Sequence, residues 1–272
     1  MTALRFRYTN VLLTLILLAL LAVIAMLATD ARGGPLDPGG APASTDSVRL
    51  PGTPISGQTT ISAPGHYYLT RNITVPGAVI VITIAASDVS LDLGGFTIRG
   101  NDAAGSWGIW VAGGGHGDIT ISNGTVRDFQ FGLDTANGSR VRIDHIHATS
   151  NARGIQLGSN NVLSDCTSIS NGETGIYAPG NEAVINNCVS SRNSGDGIAV
   201  AGDDVQVQRS TAINNTGAQI RTIGDFTGIR DNTVHGSLVL LQNGAAVVLD
   251  NTCVFGSISN PVGNEVGTNF AC

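Results

Sequence analysis

The chain has no lysine: all 14 of its basic residues are arginine, set against 20 acids for a net charge of −6. No basic run occurs, so the phosphate footprint of a nucleic-acid partner is missing. Charged residues make up 12% of the 272, about half the ~25% usual in globular proteins. Aromatics are only 5%, which leaves an interior to be built from aliphatic side chains. Glycine and proline number 36 and 9, yet no Gly-X-Y period accompanies them, which excludes a collagen-like rod. Mean hydropathy is +0.18, too apolar for a disordered chain. Past residue 28, no segment carries an apolar period of 3.6 over helical length.

One long hydrophobic run is present. Val11–Ala28 contains no charge and a single Thr, and Arg5 and Arg7 precede it. Positive charge ahead of such a run marks a secretory signal peptide or an uncleaved N-terminal membrane anchor. The length lies between the two, and both stay open. Either one predicts an extracytoplasmic protein, secreted or held at the cell surface. Residues 29–50 are rich in Gly, Pro, Ala and Ser and read as a semi-extended linker. The expected organisation is therefore 1–28 signal or anchor, 29–50 linker, and 51–272 one folded domain with a C-terminal cap.

That domain repeats itself. An aliphatic column runs Ile109, Leu133, Ile155, Ile176, Ile198, Ile220, with steps of 24, 22, 21, 22 and 22. A second runs Ile121, Ile143, Leu163, Ile185, Val207, Ile229, with steps of 22, 20, 22, 22 and 22. Eight residues after four of these stand Asn151, Asn171, Asn193 and Asn215. Between them lie short alternating runs separated by Gly, Asn and Asp, the pattern of half-buried strands and turns. A unit this short cannot bury its own inner face, but copies stacked in register can. The Asn column suits tight turns and amide bonding between coils.

The ~22-residue period, the GI-x-x strands and the SISN, SSRN and INN turns resemble the right-handed parallel β-helix, the pectate-lyase-like repeat family of exported bacterial proteins. The resemblance covers about residues 55 to 250. It implies an all-β solenoid of three-strand coils. It also implies that polysaccharide lies along the outer side of the first strand of each coil, and that an enzyme of this kind would be a lyase or epimerase using Ca²⁺ with an Arg or Lys base. No cofactor is demanded by the residues themselves.

Strand alternation then assigns faces. The residue after each inward aliphatic points out, which gives the column Trp110, Asp134, Gln156, Tyr177, Ala199, Arg221. Aromatic rings, an amide and charges of both signs are what a sugar chain needs, so Trp110, Asp134, Gln156, Tyr177 and Arg221 are the candidate substrate-binding residues. Arg153, Asp196 and Arg221 are the candidate catalytic groups, with Arg192 a further base nearby. Asp134 and Asp196 stand three coils apart, roughly 14 Å, too far for paired glycosidase carboxylates. Asp203-Asp204 reads as a turn. His145, His147 and Asp165 are a weak metal motif with no third strong ligand. Cys166 and Cys188 share a column, as a buried thiol pair or a disulfide. Cys253 and Cys272 bracket the tail, where a disulfide would fasten the last coil.

Three functions are open at this level: glycan recognition along the outward column, a polysaccharide lyase or epimerase in the same groove, and a structural or adhesive rod. Partners are a polysaccharide and, if the leader is retained, a membrane. A reporter fused after residue 50 is expected outside the cytoplasm, and replacing Arg5 and Arg7 should weaken its orientation; a reporter that stays in the cytoplasm would refute export.

Overall fold

The computed structural model describes residues 52–240, 247–253, 258–259, 265–266 and 269. All belong to the unit Leu50–Cys272. The 11–28 run, the linker and Cys272 lie outside the described residues. Among the described residues the regular structure is entirely β, and no helix is long and apolar enough to cross a membrane.

The strands stack parallel and in register as a solenoid. The first face is a sheet of ten strands, among them Trp107–Val111, Phe131–Asp134, Arg153–Gln156, Ile176–Ala178, Ile198–Val200 and Ile220–Thr222. The other two faces merge into one 18-stranded sheet, because the strands Gly117–Arg127 and Ser139–Thr149 run through the corner between them. Above those, the corner breaks each strand in two. The second face then continues as Val162–Ser164, Val184–Asn186 and Gln206–Gln208, and the third as Thr167–Ile169, Val189–Ser191 and Thr211–Ile213.

Register follows the aliphatic columns. Leu133 pairs with Ile155, Ile155 with Ile176, Ile176 with Ile198 and Ile198 with Ile220. On the second face Ile143 meets Leu163, then Ile185, Val207 and Ile229. These side chains are essentially inaccessible. A one-residue slip would turn each column to solvent, so burial enforces the pairing.

Corners need residues with positive φ. They recur once per corner per coil: Asp118, Arg140, Asn160, Glu182 and Asp204 between the first and second faces; His145, Asp165, Asn187 and Arg209 between the second and third; Ser150, Ser170, Arg192 and Asn214 between the third and first. Asp203-Asp204 is a turn, as the sequence suggests. The Asn column makes the bonds between coils expected of it, but it does not itself supply the turn. The residue before each Asn takes the left-handed conformation, and the Asn side chain turns inward.

There it forms a ladder. Asn193 Oδ1 accepts from the Asn171 backbone N at 2.9 Å, and Asn215 Oδ1 accepts from the Asn193 N at 3.0 Å. Each amide also donates: Asn193 Nδ2 reaches Asn215 Oδ1 at 2.9 Å, the Ser168 carbonyl at 3.1 Å and Ser190 Oγ at 3.0 Å. Ser190 Oγ in turn donates to the Gly197 carbonyl at 2.6 Å. The S-x-x-N spacing is thus one hydrogen-bonded unit. It also explains the glycine of GI-x-x, since a Cβ on Gly175 or Gly197 would strike Asn193 or Asn215. Where the next coil lacks an Asn, Gln219 Oε1 accepts from Asn215 N at 3.1 Å and ends the ladder.

A second ladder occupies the corner between the second and third faces, and Cys166 and Cys188 are rungs of it. Cys166 Sγ accepts from Ile146 N at 3.3 Å, Cys188 N donates to Ser210 Oγ at 3.1 Å, and Ser210 N donates to Asn232 Oδ1 at 2.9 Å. Both cysteines are buried free thiols, which settles the choice between a thiol pair and a disulfide. The hydrogen bond with Cys188, together with burial, pushes the Cys166 thiol up, so it stays protonated. The Cys253–Cys272 bridge involves a residue outside the described set; Cys253 itself is buried.

Asn193→Ala should cost roughly 1–3 kcal/mol, because it leaves the Asn171 N–H without its acceptor in the interior. Urea unfolding of the full-length protein measures this; a loss below a few tenths of a kcal/mol would show that the ladder is not stabilising.

Candidate functional site

The outward column is in register. Trp110 neighbours Asp134, Asp134 neighbours Gln156, Gln156 neighbours Tyr177, Tyr177 neighbours Ala199, and Ala199 neighbours Arg221. Its members differ in what they offer. Asp134 is only 8% exposed. Its carboxylate accepts from the Trp107 indole Nε1 at 3.3 Å and from Ala136 N at 3.0 Å, so it orients the aromatics rather than facing a ligand. Ala199 is buried, although it stands at an outward position.

A second outward column runs beside the first, and alternation alone misses it. Trp107 neighbours Phe131, and Phe131 neighbours Arg153. Strict alternation would send these residues inward. Gly132 takes the inward place beside Asn151, so Phe131 and Asp134 flank two successive inward positions. The signal was present as an aromatic or Arg two residues before the first three column aliphatics, Ile109, Leu133 and Ile155.

The two columns join in one stack. Trp107 and Phe131 lie nearly parallel, 5.1 Å apart at 8°. The Arg153 guanidinium sits 5.2 Å from the Phe131 ring and 5.5 Å from the Tyr177 ring, between them. Arg153 is further held by Gln156 Oε1 at 2.9 Å from Nη1, and by Glu173 Oε2 at 3.1 Å from Nη2. Cation–π contacts of this kind contribute about 0.5–2 kcal/mol each. Beyond Tyr177 the stack stops, because Ala199 has no side chain to continue it. An open cleft of about 430 Å³ follows, lined by Arg153, Thr174, Tyr177, Ala201, Arg221 and Ile223.

Arg221 closes the far side. Its Nε donates to Asp196 Oδ2 at 2.6 Å, and Asp196 Oδ1 accepts from Ala218 N at 2.9 Å. Of the three candidate catalytic groups, Arg153 and Arg221 line the cleft, and both are engaged by carboxylates; Asp196 reaches it only through Arg221. Arg192 is exposed at the corner before the first face and does not line the cleft. Nor do the acids here form a calcium cage: Asp196 and Glu173 are tied to arginines, and Asp134 lies under Trp107.

Residues 81–239 match the family described as the right handed beta helix region. The chain belongs to the right-handed β-helix family. No curated protein matches it. Among solved structures, the β-helix is similar to the Dettilon tailspike protein gp208, with a TM-score of 0.60 and 14% identity over 79% of this chain and 54% of that one. It is also similar to the pectate lyase Pel9A, with a TM-score of 0.53 and 16% identity over 81% and 68%. The ORF18 protein of Geobacillus virus E2 gives a TM-score of 0.59 and 13% identity over 79% and 50%. The chain thus spans about half the length of the tailspike, and these likenesses establish the fold.

On another edge of the β-helix, Asp144, His145 and Asp165 bring their donor atoms within 4.8 Å of one another. His147, expected beside them, is elsewhere: the positive φ of His145 turns the chain, and His147 meets Thr167 on the third face. The hydrogen bond that His145 Nδ1 donates to Asp144 Oδ2, at 2.8 Å, and the charges of Asp144 and Asp165 raise the His145 pKa. Burial and Arg127 lower that of His147. The His145–Asp144 contribution is therefore present at acidic pH and is lost as pH rises through the raised value. An NMR titration should place His145 above the ordinary imidazole value and His147 below it, with Asp144→Asn returning His145 toward normal; the reverse order would contradict this geometry.

Proposed function

We propose that the protein is an exported β-helix that binds polysaccharide along its first face. The observation that carries this reading is the stack Trp107–Phe131–Arg153–Tyr177, which ends at an open cleft. Stacking and ion pairs hold these side chains still, so little rotamer entropy is lost when a ligand arrives. Ring edges, the Gln156 amide and the arginine N–H groups present donors and apolar surface together, the mixture that sugar rings and their hydroxyls require. One structural neighbour is by name a lyase of pectate, which supports a glycan as the ligand class. Recognition is favoured over lyase chemistry because Arg153 and Arg221 are both committed to carboxylates. Signal or anchor, extracytoplasmic location and the Cys253–Cys272 bridge belong to the same proposal: a domain displayed outside the cell on a short linker.

A glycan array with the full-length protein tests it. Trp110→Ala and Tyr177→Ala should each weaken binding by roughly 1–2 kcal/mol through lost aromatic contact. Arg221→Ala should matter most for acidic sugars. Release of unsaturated, ultraviolet-absorbing products that is lost on chelation would instead establish a lyase. Neither binding nor products would leave a structural rod.

A further inference from the structure

The corner between the second and third faces brings together three metal-ligating side chains that the glycan face does not use. His145 and Asp165 hold the same corner position on consecutive coils, each with positive φ. Asp144 precedes that turn on the second face, in register with Ser164. The donor atoms of the three lie within 4.8 Å of one another. Sequence spacing pairs His145 with His147, but the turn sends His147 to Thr167 and leaves Asp144 in its place, so the third ligand is a carboxylate.

The backbone beneath the cluster is fixed. Cys166 Sγ accepts from Ile146 N at 3.3 Å, so the residues that follow His145 and Asp165 are tied together inside the corner. A buried rung thus sets the coil spacing between two of the ligands, and their side chains need only rotate. Zn²⁺ holds nitrogen and oxygen donors at about 2.0–2.2 Å, so two of its ligands stand at most ~4.4 Å apart, a few tenths of an ångström inside the present spread. His145 Nδ1 and Asp144 Oδ2 are already 2.8 Å apart. Asp165 gives Oδ1 to the Asn187 amide and keeps its other oxygen.

The charges point the same way. Asp118, Asp128, Glu173 and Asp196 each pair with arginine. Among the described residues, Asp144 and Asp165 make no ion pair with arginine: Asp144 meets His145, and Asp165 meets Asn187. Arg209, two coils beyond Asp165 on the same corner, turns to Asn186. Two carboxylates therefore share one imidazole. A nitrogen donor with two carboxylates suits a first-row divalent cation, whereas Ca²⁺ and Mg²⁺ take sets of oxygens.

We propose that Asp144, His145 and Asp165 bind one Zn²⁺, with water as the remaining ligand, and that the ion clips two consecutive coils together at this corner. None of the three lines the first-face cleft, so the site is independent of the glycan reading.

Zinc titration of the full-length, untagged protein, followed by NMR of the histidine rings, tests the site. One Zn²⁺ per chain should bind, the His145 resonances should move while those of His147 stay, and the thermal midpoint should rise with zinc but not with calcium. Asn tolerates the left-handed backbone, so His145→Asn and Asp165→Asn keep the corner. Each should weaken zinc binding roughly tenfold or more, at least the loss that follows removal of a ligand's own supporting partner. His147→Asn should leave zinc affinity unchanged. Zinc affinity that survives both ligand variants would overturn the site, and so would a wild-type His145 ring unmoved by zinc, a result that holds even if a variant fails to fold. An equal response to calcium would overturn the assignment of the metal.

Discussion

Each coil of this molecule depends on a buried side chain that accepts the amide N–H of the coil below. At the corners the chain turns away from its strand ladder, so backbone donors would otherwise be left inside without partners. Asn171, Asn193 and Asn215 remove that cost in one corner; Cys166, Ser210 and Asn232 do the same in another. Because a buried unpaired amide costs about 1–3 kcal/mol, the rungs must align, and they do so across coils of different length: 20 residues from Asn151 to Asn171, 22 from Asn171 to Asn193 and 19 from Asn232 to Asn251. After Asn215, Gln219 from the same corner takes the place of the missing Asn.

Stacking in register has a consequence on the outer surface. Outward residues align as strictly as inward ones, so like side chains stack across coils without any pocket being folded around them. Trp107, Phe131, Arg153 and Tyr177 become a continuous ladder by position alone.

The cysteines illustrate how one position in such a stack accepts different chemistries. Cys166 and Cys188 serve as hydrogen-bond rungs, in the place filled by Ile146 one coil below and by Ser210 and Asn232 above. A thiol suffices there because the position needs a weak acceptor of small volume, and the burial that encloses it keeps Cys166 protonated.

The solenoid, its aliphatic columns and the outward Trp110–Arg221 register were legible from spacing, because strand alternation and a constant period are properties of the chain itself. The positions of the Asn rungs were legible for the same reason. Their bonding from coil to coil was legible too, but the state of Cys166 and Cys188 and the company that each outward residue keeps were not. Gly132 doubles the inward positions and brings Phe131 to the surface, which no strict two-residue period can foresee. Asp134 turns under Trp107, Asp196 reaches across to Arg221, and His145 parts from His147, because long side chains find partners on neighbouring coils. Periodicity places a residue on a face; only packing between coils decides which of its atoms are left open to a ligand.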